Sequence, residues 1–335
     1  MLRNGVKREH NDDPLPPKRL KTSPTPSSVV LADVAFQVEY LSEQSPKGRN
    51  AKEFELHTSP FVTDNEIGAL DQYYTVAPSE GWYGMRKYNS FVIQDDKYQI
   101  GDYVFVKNDR TSQPKNTNEK DFWVARILEI RGADSSHVYA LVTWMYWPDE
   151  LPETKAPHEE KLSPGRRKYH GRRELVASNC MEVLDVLTCA GKADVIQWLE
   201  KDDEEPLTTL YWRQTFRRDE MTLSGIRLHC ICNGPYCADW TLHGCSNDQC
   251  RLWLHPECLL DAVLSKTYTR LIGDSAVEET KKKASKLKKP KKNYTGKFKA
   301  EFSFPDVKIT DLRRGEGQKT WIEPLICLKC RSPLD

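Results

Sequence analysis

The sequence predicts a mostly β protein: a β-rich segment and a small twisted barrel, preceded by an unpacked tail and followed by a compact metal module. Two observations carry this. Runs such as YQIGDYVFV (98–106), FWVARILEI (122–130) and HVYALVTWMYW (137–147) are dense in Val, Ile, Tyr and Trp, which suit a pleated, half-buried surface. Cys and His residues then crowd the last third of the chain at spacings that match the bite of a tetrahedral ion.

The 335 residues allow two or three domains. Lys and Arg number 50 against 49 acids, a net charge of +1, so any affinity for nucleic acid must come from local patches. Mean hydropathy is −0.68 and 38% of residues are hydrophobic, consistent with solvated stretches beside the packed ones. No apolar run is long enough to span a bilayer, and the opening MLRNGVKREHNDDP lacks the apolar core of a signal peptide. Cysteines at ligand spacing, with no secretory signal, point to metal binding in a reducing compartment rather than to disulfides.

Residues 1–30 are rich in Pro, Ser, Lys and Arg and read as a disordered basic tail. Their PPKRLK cluster (16–21) suits a nuclear import signal or simply a solvated tail. Residues 31–97 form a β-rich segment, with VAFQVEYL, FELHTSPFV and SFVIQDD punctuated by Gly, Pro and Asn. The barrel is placed at 98–217. The metal module spans 228–335 and holds a long lysine-rich insertion at about 259–320.

FWVARILEI and HVYALVTWMYW are joined by the polar turn RGADSS, which predicts an antiparallel pair. Side chains alternate along a strand, so Trp144 and Tyr146 share a face, and counting outward from the turn sets Trp123 opposite them. Three converging rings can form an open box that attracts a methylated ammonium, each contact contributing roughly 0.5–2 kcal/mol. Three aromatics on adjacent strands are, however, more often simply part of a packed core.

The stretch GDYVFV…FWVARILEI…VTWMYWPDELP…GRRKYHGRRELVASNCMEVLDV resembles a bromo-adjacent homology (BAH) domain. It looks most like the subgroup, known from plants and fungi, in which this domain precedes a plant-homeodomain (PHD) finger and reads trimethylated lysine twenty-seven of the histone H3 tail. The resemblance implies a cage of Trp123, Trp144 and Tyr146. It also implies peptide contacts at Asn179, Cys180 and Glu182; Glu182 keeps an acid found in the subgroup, whereas Cys180 replaces a histidine. Cys180 and Cys189 lack ligand-spaced partners and read as small buried residues. The basic run GRRKYHGRRE (165–174) suits either phosphate contact or a solvated, ion-paired loop.

Eight ligand positions remain: Cys230, Cys232, Cys245, Cys250, His255, Cys258, Cys327 and Cys330. Four ligands per ion make two closed sites, hence two structural zinc ions and no open position for water. The order and spacing resemble a cross-braced PHD finger. That resemblance gives one ion Cys230, Cys232, His255 and Cys258, and the other Cys245, Cys250, Cys327 and Cys330. A RING-type ubiquitin ligase is the competing reading, although its histidine normally sits elsewhere and its first pair opens as CxxC. Cys237 is a further thiol outside the pattern. Likeness to fingers that bind the histone H3 N-terminus implies roles for Asp248 and Trp253, while Ser246 and Gln249 stand where acids are common. The lysine run KKKASKLKKPKKNYTGKFK (281–299) suits non-specific contact with DNA phosphates or a solvated loop. KFKAEFSFPDVKI has strand-like alternation and is expected to dock on the finger.

The sequence holds no G-x-x-x-x-G-K-[ST], H-E-x-x-H or G-x-S-x-G, so no catalysis is expected. Taken together, the resemblance implies a nuclear chromatin reader. Its partners would be a methylated histone H3 tail and the nucleosome, with no membrane contact, and its role repression of the Polycomb type. A DNA-binding scaffold built on the lysine run is the other reading.

Overall fold

The computed structural model describes residues 36–41, 54–63, 69–109, 111, 118–157, 159, 161–200, 208–273, 292–313 and 319–334. The expected tail with its PPKRLK cluster, and residues 281–291 of the lysine run, lie outside these residues. The chain divides into two compact units. One holds the described residues up to Arg167 together with Arg173–Gly225; the other holds Lys168–Arg172 and Ile226–Asp335.

The first unit opens with β1 (Gln37–Tyr40), β2 (Glu55–His57) and β3 (Gln72–Ala77), an antiparallel sheet in the order β1-β3-β2. The short helix α1 (Ser79–Gly84) follows and seats Trp82 in a cluster with Tyr74, Val76, Leu141 and Met181. Next come β4 (Arg86–Tyr88) and the hairpin of β5 (Ser90–Ile93) with β6 (Asp96–Gln99). The two residues of its turn, Gln94 and Asp95, both take positive φ, the backbone that matches a tight hairpin to the twist of its strands.

The main sheet contains β7 (Tyr103–Val106), β8 (Trp123–Gly132), β9 (Val138–Tyr146), β10 (Glu174–Asp185), β11 (Cys189–Ala193), β12 (Val195–Gln197), β13 (Leu210–Arg217) and β14 (Thr222–Leu223). Its order is β11-β7-β8-β9-β10-β13-β12, with β4 also on β8 and β14 on β13. The strand alternation expected from sequence sorts β9 cleanly. Ala140, Val142, Trp144 and Tyr146 enter one core cluster, and Met145 and Trp147 enter the other. A buried ion triad closes one end: Arg213 lies 2.9 Å from Glu174, pairs with Glu200, and stacks 4.9 Å over the Trp198 ring.

The expected barrel needs correction. No ladder joins β11 to β12 among the described residues, so the hydrogen-bonded path stays open. The reason is geometric: β11 and β12 run in line, separated by Asp194 alone, and strands that continue one another cannot lie side by side. Two Cα steps span at most about 7.6 Å, so the sheet still curls until its two edges meet through the backbone.

The second unit contains β15 (Leu228–His229), β16 (Gly234–Pro235), α2 (Pro256–Ile272) and an antiparallel sheet of β17 (Phe298–Ser303), β18 (Asp306–Asp311) and β19 (Thr320–Pro324). Helix α2 begins at a proline, which is favoured in a first helical turn, and ends at Gly273 in a positive-φ conformation. The long interval between Cys258 and Cys327 therefore carries a helix and a sheet. Val307, Ile309 and Leu325 pack there with Leu254, Leu259 and the thiols of Cys230, Cys245 and Cys327. KFKAEFSFPDVKI forms β17 and most of β18, as its alternation predicts.

Candidate functional site

Trp123 begins β8, while Trp144 and Tyr146 end β9. Near this end the register pairs Val124 with Met145 and Ala125 with Trp144, which sets Trp123 next in line beside Tyr146. Nearer the turn the pairing is offset by one, Glu129 with Leu141 and Gly132 with Val138. Leu128 is the extra residue between the two registers. A one-residue slip exchanges the faces of a strand, so this bulge decides which side Trp123 occupies. With it, all three rings join the same cluster.

The Trp123 and Trp144 rings meet edge to face, centroids 5.6 Å apart at 79°. Tyr146 sets its ring 5.7 Å from Phe216, and its hydroxyl shares a hydrogen bond with the Cys180 thiol. Burial, then Cys180, raise the Tyr146 pKa well above the ordinary phenol value, so the ring stays neutral. Trp144 is 3% exposed and Tyr146 8%, whereas Trp123 is half-buried. Of the three rings, Trp123 is the one most open to solvent. The Trp144 indole N–H donates to Glu182 Oε2 at 2.9 Å. This places a half-buried carboxylate at the edge of the aromatic group, where it favours a cation.

The strand carrying Glu182 is irregular. β10 pairs with β9 up to Ala177 and resumes at Met181 in a shifted register, so Ser178, Asn179 and Cys180 bulge out of the ladder. Their backbone groups find other partners. Thr143 Oγ1 donates to Ser178 O at 2.6 Å, Ser178 Oγ donates to Trp144 O at 2.7 Å, and Cys180 N donates to Ser178 Oγ at 3.2 Å. Tyr40 of β1 holds Met181 from both sides, accepting from its N–H at 2.6 Å and donating to its carbonyl at 3.0 Å. Gln72 of β3 donates to the Asn179 carbonyl. The β-rich segment ahead of the main sheet is thus the brace of this bulge. Asn179, expected at the peptide, is buried, and its side-chain oxygen accepts from the Arg218 backbone N–H at 2.9 Å. Cys180 is likewise buried behind Tyr146.

In the second unit the structure gathers two donor clusters, Cys230, Cys232, His255 and Cys258, and Cys245, Cys250, Cys327 and Cys330, with donor atoms of each set within 4.8 Å of one another. Sulfur separations of 3.3 Å for Cys245–Cys330 and 3.8 Å for Cys250–Cys327 are close to the tetrahedron edge of about 3.8 Å that zinc–sulfur bonds of about 2.3 Å would set. His255 turns Nδ1 toward Cys232 Sγ at 3.4 Å, and burial lowers its pKa, favouring the neutral ring a metal requires. The backbone shape suits ligand knuckles: Cys230, Asn233, Arg251 and Arg331 all take positive φ. The donor sets fit a thiophilic tetrahedral ion. Cys237 is buried and belongs to neither cluster. Asp248 is 93% exposed by side chain and faces Arg251 at 3.5 Å, and Trp253 lies half-buried against Gly244.

A family model of the BAH domain matches residues 96–223. These residues are a BAH domain. Two chromatin remodeling proteins of Arabidopsis thaliana are similar to the chain. EBS is 25% identical over 182 residues, covering 52% of this chain and 69% of its own length. SHL is 26% identical over 166 residues, covering 48% of this chain and 64% of its own length, so the match leaves more than a third of SHL unspanned. The solved yeast Rsc2 BAH domain aligns with 42% of this chain and 55% of that one, at 14% identity and a TM-score of 0.31, and nothing is argued from so distant a superposition.

Within the BAH domain, the basic run that opened two readings is internally engaged at its start. Arg166 pairs with Asp149 at 3.0 Å, and buried Arg167 contacts Glu159, Thr154, Ser163 and Gly165. In the other unit the described lysines of the lysine run are also partnered: Lys292 with Asp261, Lys297 with the Tyr268 hydroxyl and Lys299 with Glu301. Sequence reasoning missed the contact between Glu182 and the Trp144 indole. The signal was present, because Glu182 lies two strand positions beyond the bulge on the neighbour of β9, but the bulge is not written in the residue pattern.

Proposed function

We propose that the BAH domain reads a trimethylated lysine of a histone tail, with lysine twenty-seven of histone H3 as the favoured mark. The observation that supports this most directly is the right-angled pair of Trp123 and Trp144, with the Glu182 carboxylate held on the Trp144 indole. Ring faces and a nearby negative charge both attract a quaternary ammonium, which cannot itself donate a hydrogen bond. The likeness to chromatin remodeling proteins supports a place at chromatin in the nucleus, and the two donor clusters support a reading of the second unit as a PHD-type finger holding two structural zinc ions. The finger supports histone or nucleosome contact, and the protein has no catalysis of its own. Its effect is repressive, through the factors it recruits.

Titrating the full chain with histone H3 peptides that differ only in methylation at that lysine tests the reading. The trimethyl peptide should bind best, and Trp144→Ala should remove the preference. Equal binding of all methylation states would overturn it. Because Trp144 is buried, retention of the folded circular dichroism spectrum accompanies the variant.

A further inference from the structure

The aromatic group has a charged neighbour that the proposed reading leaves unused. Arg218 directly follows β13, two positions beyond Phe216, whose ring meets that of Tyr146 at 5.7 Å. Two Cα steps span at most about 7.6 Å, so Arg218 begins close to the rings. Its backbone bond to the Asn179 side chain ties it to the β10 bulge. Its guanidinium sits over the Tyr40 ring, 3.7 Å from the centroid, and Tyr40 is the residue that braces Met181. Burial above all raises the Tyr40 phenol, and after the Met181 backbone bond the groups acting on it are Cys180, Arg218 and Glu182, which gathers the three around one hydroxyl.

This cation is uncompensated. Asp219 and Glu220, the acids next to it in sequence, both turn to Arg217, at 3.6 and 3.2 Å. Among the described residues no carboxylate pairs with Arg218, and its Nε is shut from water without an acceptor. Arg218 as a whole is half-buried. A guanidinium drawn partly out of water gains most from an oxyanion that meets its planar fork. Stacking on Tyr40 holds that fork in place before the anion arrives, which lowers the ordering cost of binding.

We infer that Arg218 receives an oxyanion carried by the same peptide as the methylated lysine and within about three residues of it, at about 3.3 Å of reach per extended residue: the phosphate of a phosphorylated serine or threonine, or the carboxylate of an acidic side chain. The inference rests on the proposed reading of the aromatic group. The site then has two poles. The rings and Glu182 take the ammonium, and Arg218 takes the anion. A phosphate brings more charge and one more acceptor oxygen than a carboxylate, so it gains more from the same fork. Phosphorylation beside the lysine thus strengthens reading of the mark.

Calorimetric titration of the full chain tests this. Trimethyl-lysine histone H3 peptides carry serine, phosphoserine or glutamate in turn at each of the three positions on either side of the lysine. At one position or more, phosphoserine should bind about tenfold tighter than serine, and the gain should shrink at high salt. A gain from phosphoserine alone assigns phosphate; a comparable gain from glutamate assigns carboxylates as well. In Arg218→Gln the ratio should fall to one or below, because Glu182 then repels the anion unopposed. The bond to Asn179 uses the backbone and survives this substitution, so the near-ultraviolet spectrum should be retained. Arg218→Lys keeps the charge without the fork and should keep part of the gain. Equal binding of anionic and serine peptides at every position, or a gain that survives in Arg218→Gln, would overturn the inference. An anion gain without any preference for the trimethyl form would instead overturn only the reading of the aromatic group.

Discussion

The Trp144 indole N–H donates to Glu182 across neighbouring strands at 2.9 Å, which ties the orientation of a ring to the position of a charge. The carboxylate fixes the indole plane against Trp123 and leaves its negative charge at the rim of the aromatic group. Glu182→Gln separates the two effects. The amide oxygen still accepts from the indole, so the ring stays in place while the charge is removed. Affinity for a trimethyl-lysine peptide should fall about threefold, and its salt dependence should flatten. Glu182→Ala should fall further, because it also strands the indole N–H. If both variants bind like the parent chain, the carboxylate has no part in recognition.

Trp123 is the ring that can be removed at the least structural cost, since it is only half-buried. Trp123→Ala should reduce the preference for trimethylated over unmethylated peptide by roughly three- to thirty-fold, the loss of one cation–ring contact. Calorimetric titration of both peptides measures it. An unchanged ratio would show that the edge-to-face pair is simply packing.

Tyr40→Phe probes the brace on the β10 bulge. Without the hydroxyl, the Met181 N–H and carbonyl lose a shared partner, and stability should drop by about 1–3 kcal/mol. Amide exchange at Met181 should accelerate, and peptide affinity should fall with it. Fast exchange with unchanged affinity would separate the brace from recognition.

Chelation addresses the second unit alone. Ligand geometry is part of the folding free energy of a zinc module, so a strong chelator should unfold this unit at temperatures where the BAH domain keeps its near-ultraviolet spectrum. Native mass spectrometry should find two zinc ions in the untreated chain and one in Cys245→Ser. Melting that ignores the chelator, with no metal in the spectrum, would exclude zinc.

Much of this architecture is legible in the residues because the governing patterns are local. The alternation in HVYALVTWMYW survives into β9 with each residue on its expected face. The donor spacing from Cys230 to Cys330 reappears as two clusters, since short ligand loops admit few geometries. What is illegible depends on distant partners. The face of Trp123 came out right by counting from the centre of RGADSS, although the true turn lies further along and Leu128 shifts the register by one. That Asn179 is held by Arg218 and Gln72, both far from it in the chain, cannot be read from its neighbours in sequence. Helix α2 gives little warning in PECLLDAVLSKTYTRLI, because few of its residues are fully buried and its apolar positions form no clear stripe.

The in-line junction at Asp194 has a consequence for how partners can approach. β11 has five residues and β12 three, and the two meet end to end. Exposed sheet margins commonly recruit an extended peptide, or a second copy of the chain, by main-chain pairing. Margins this short, drawn together by one aspartate, offer little template for that. For the proposed reader this leaves side chains to hold a peptide, so its selectivity should follow ring faces and carboxylates more than the backbone of the partner.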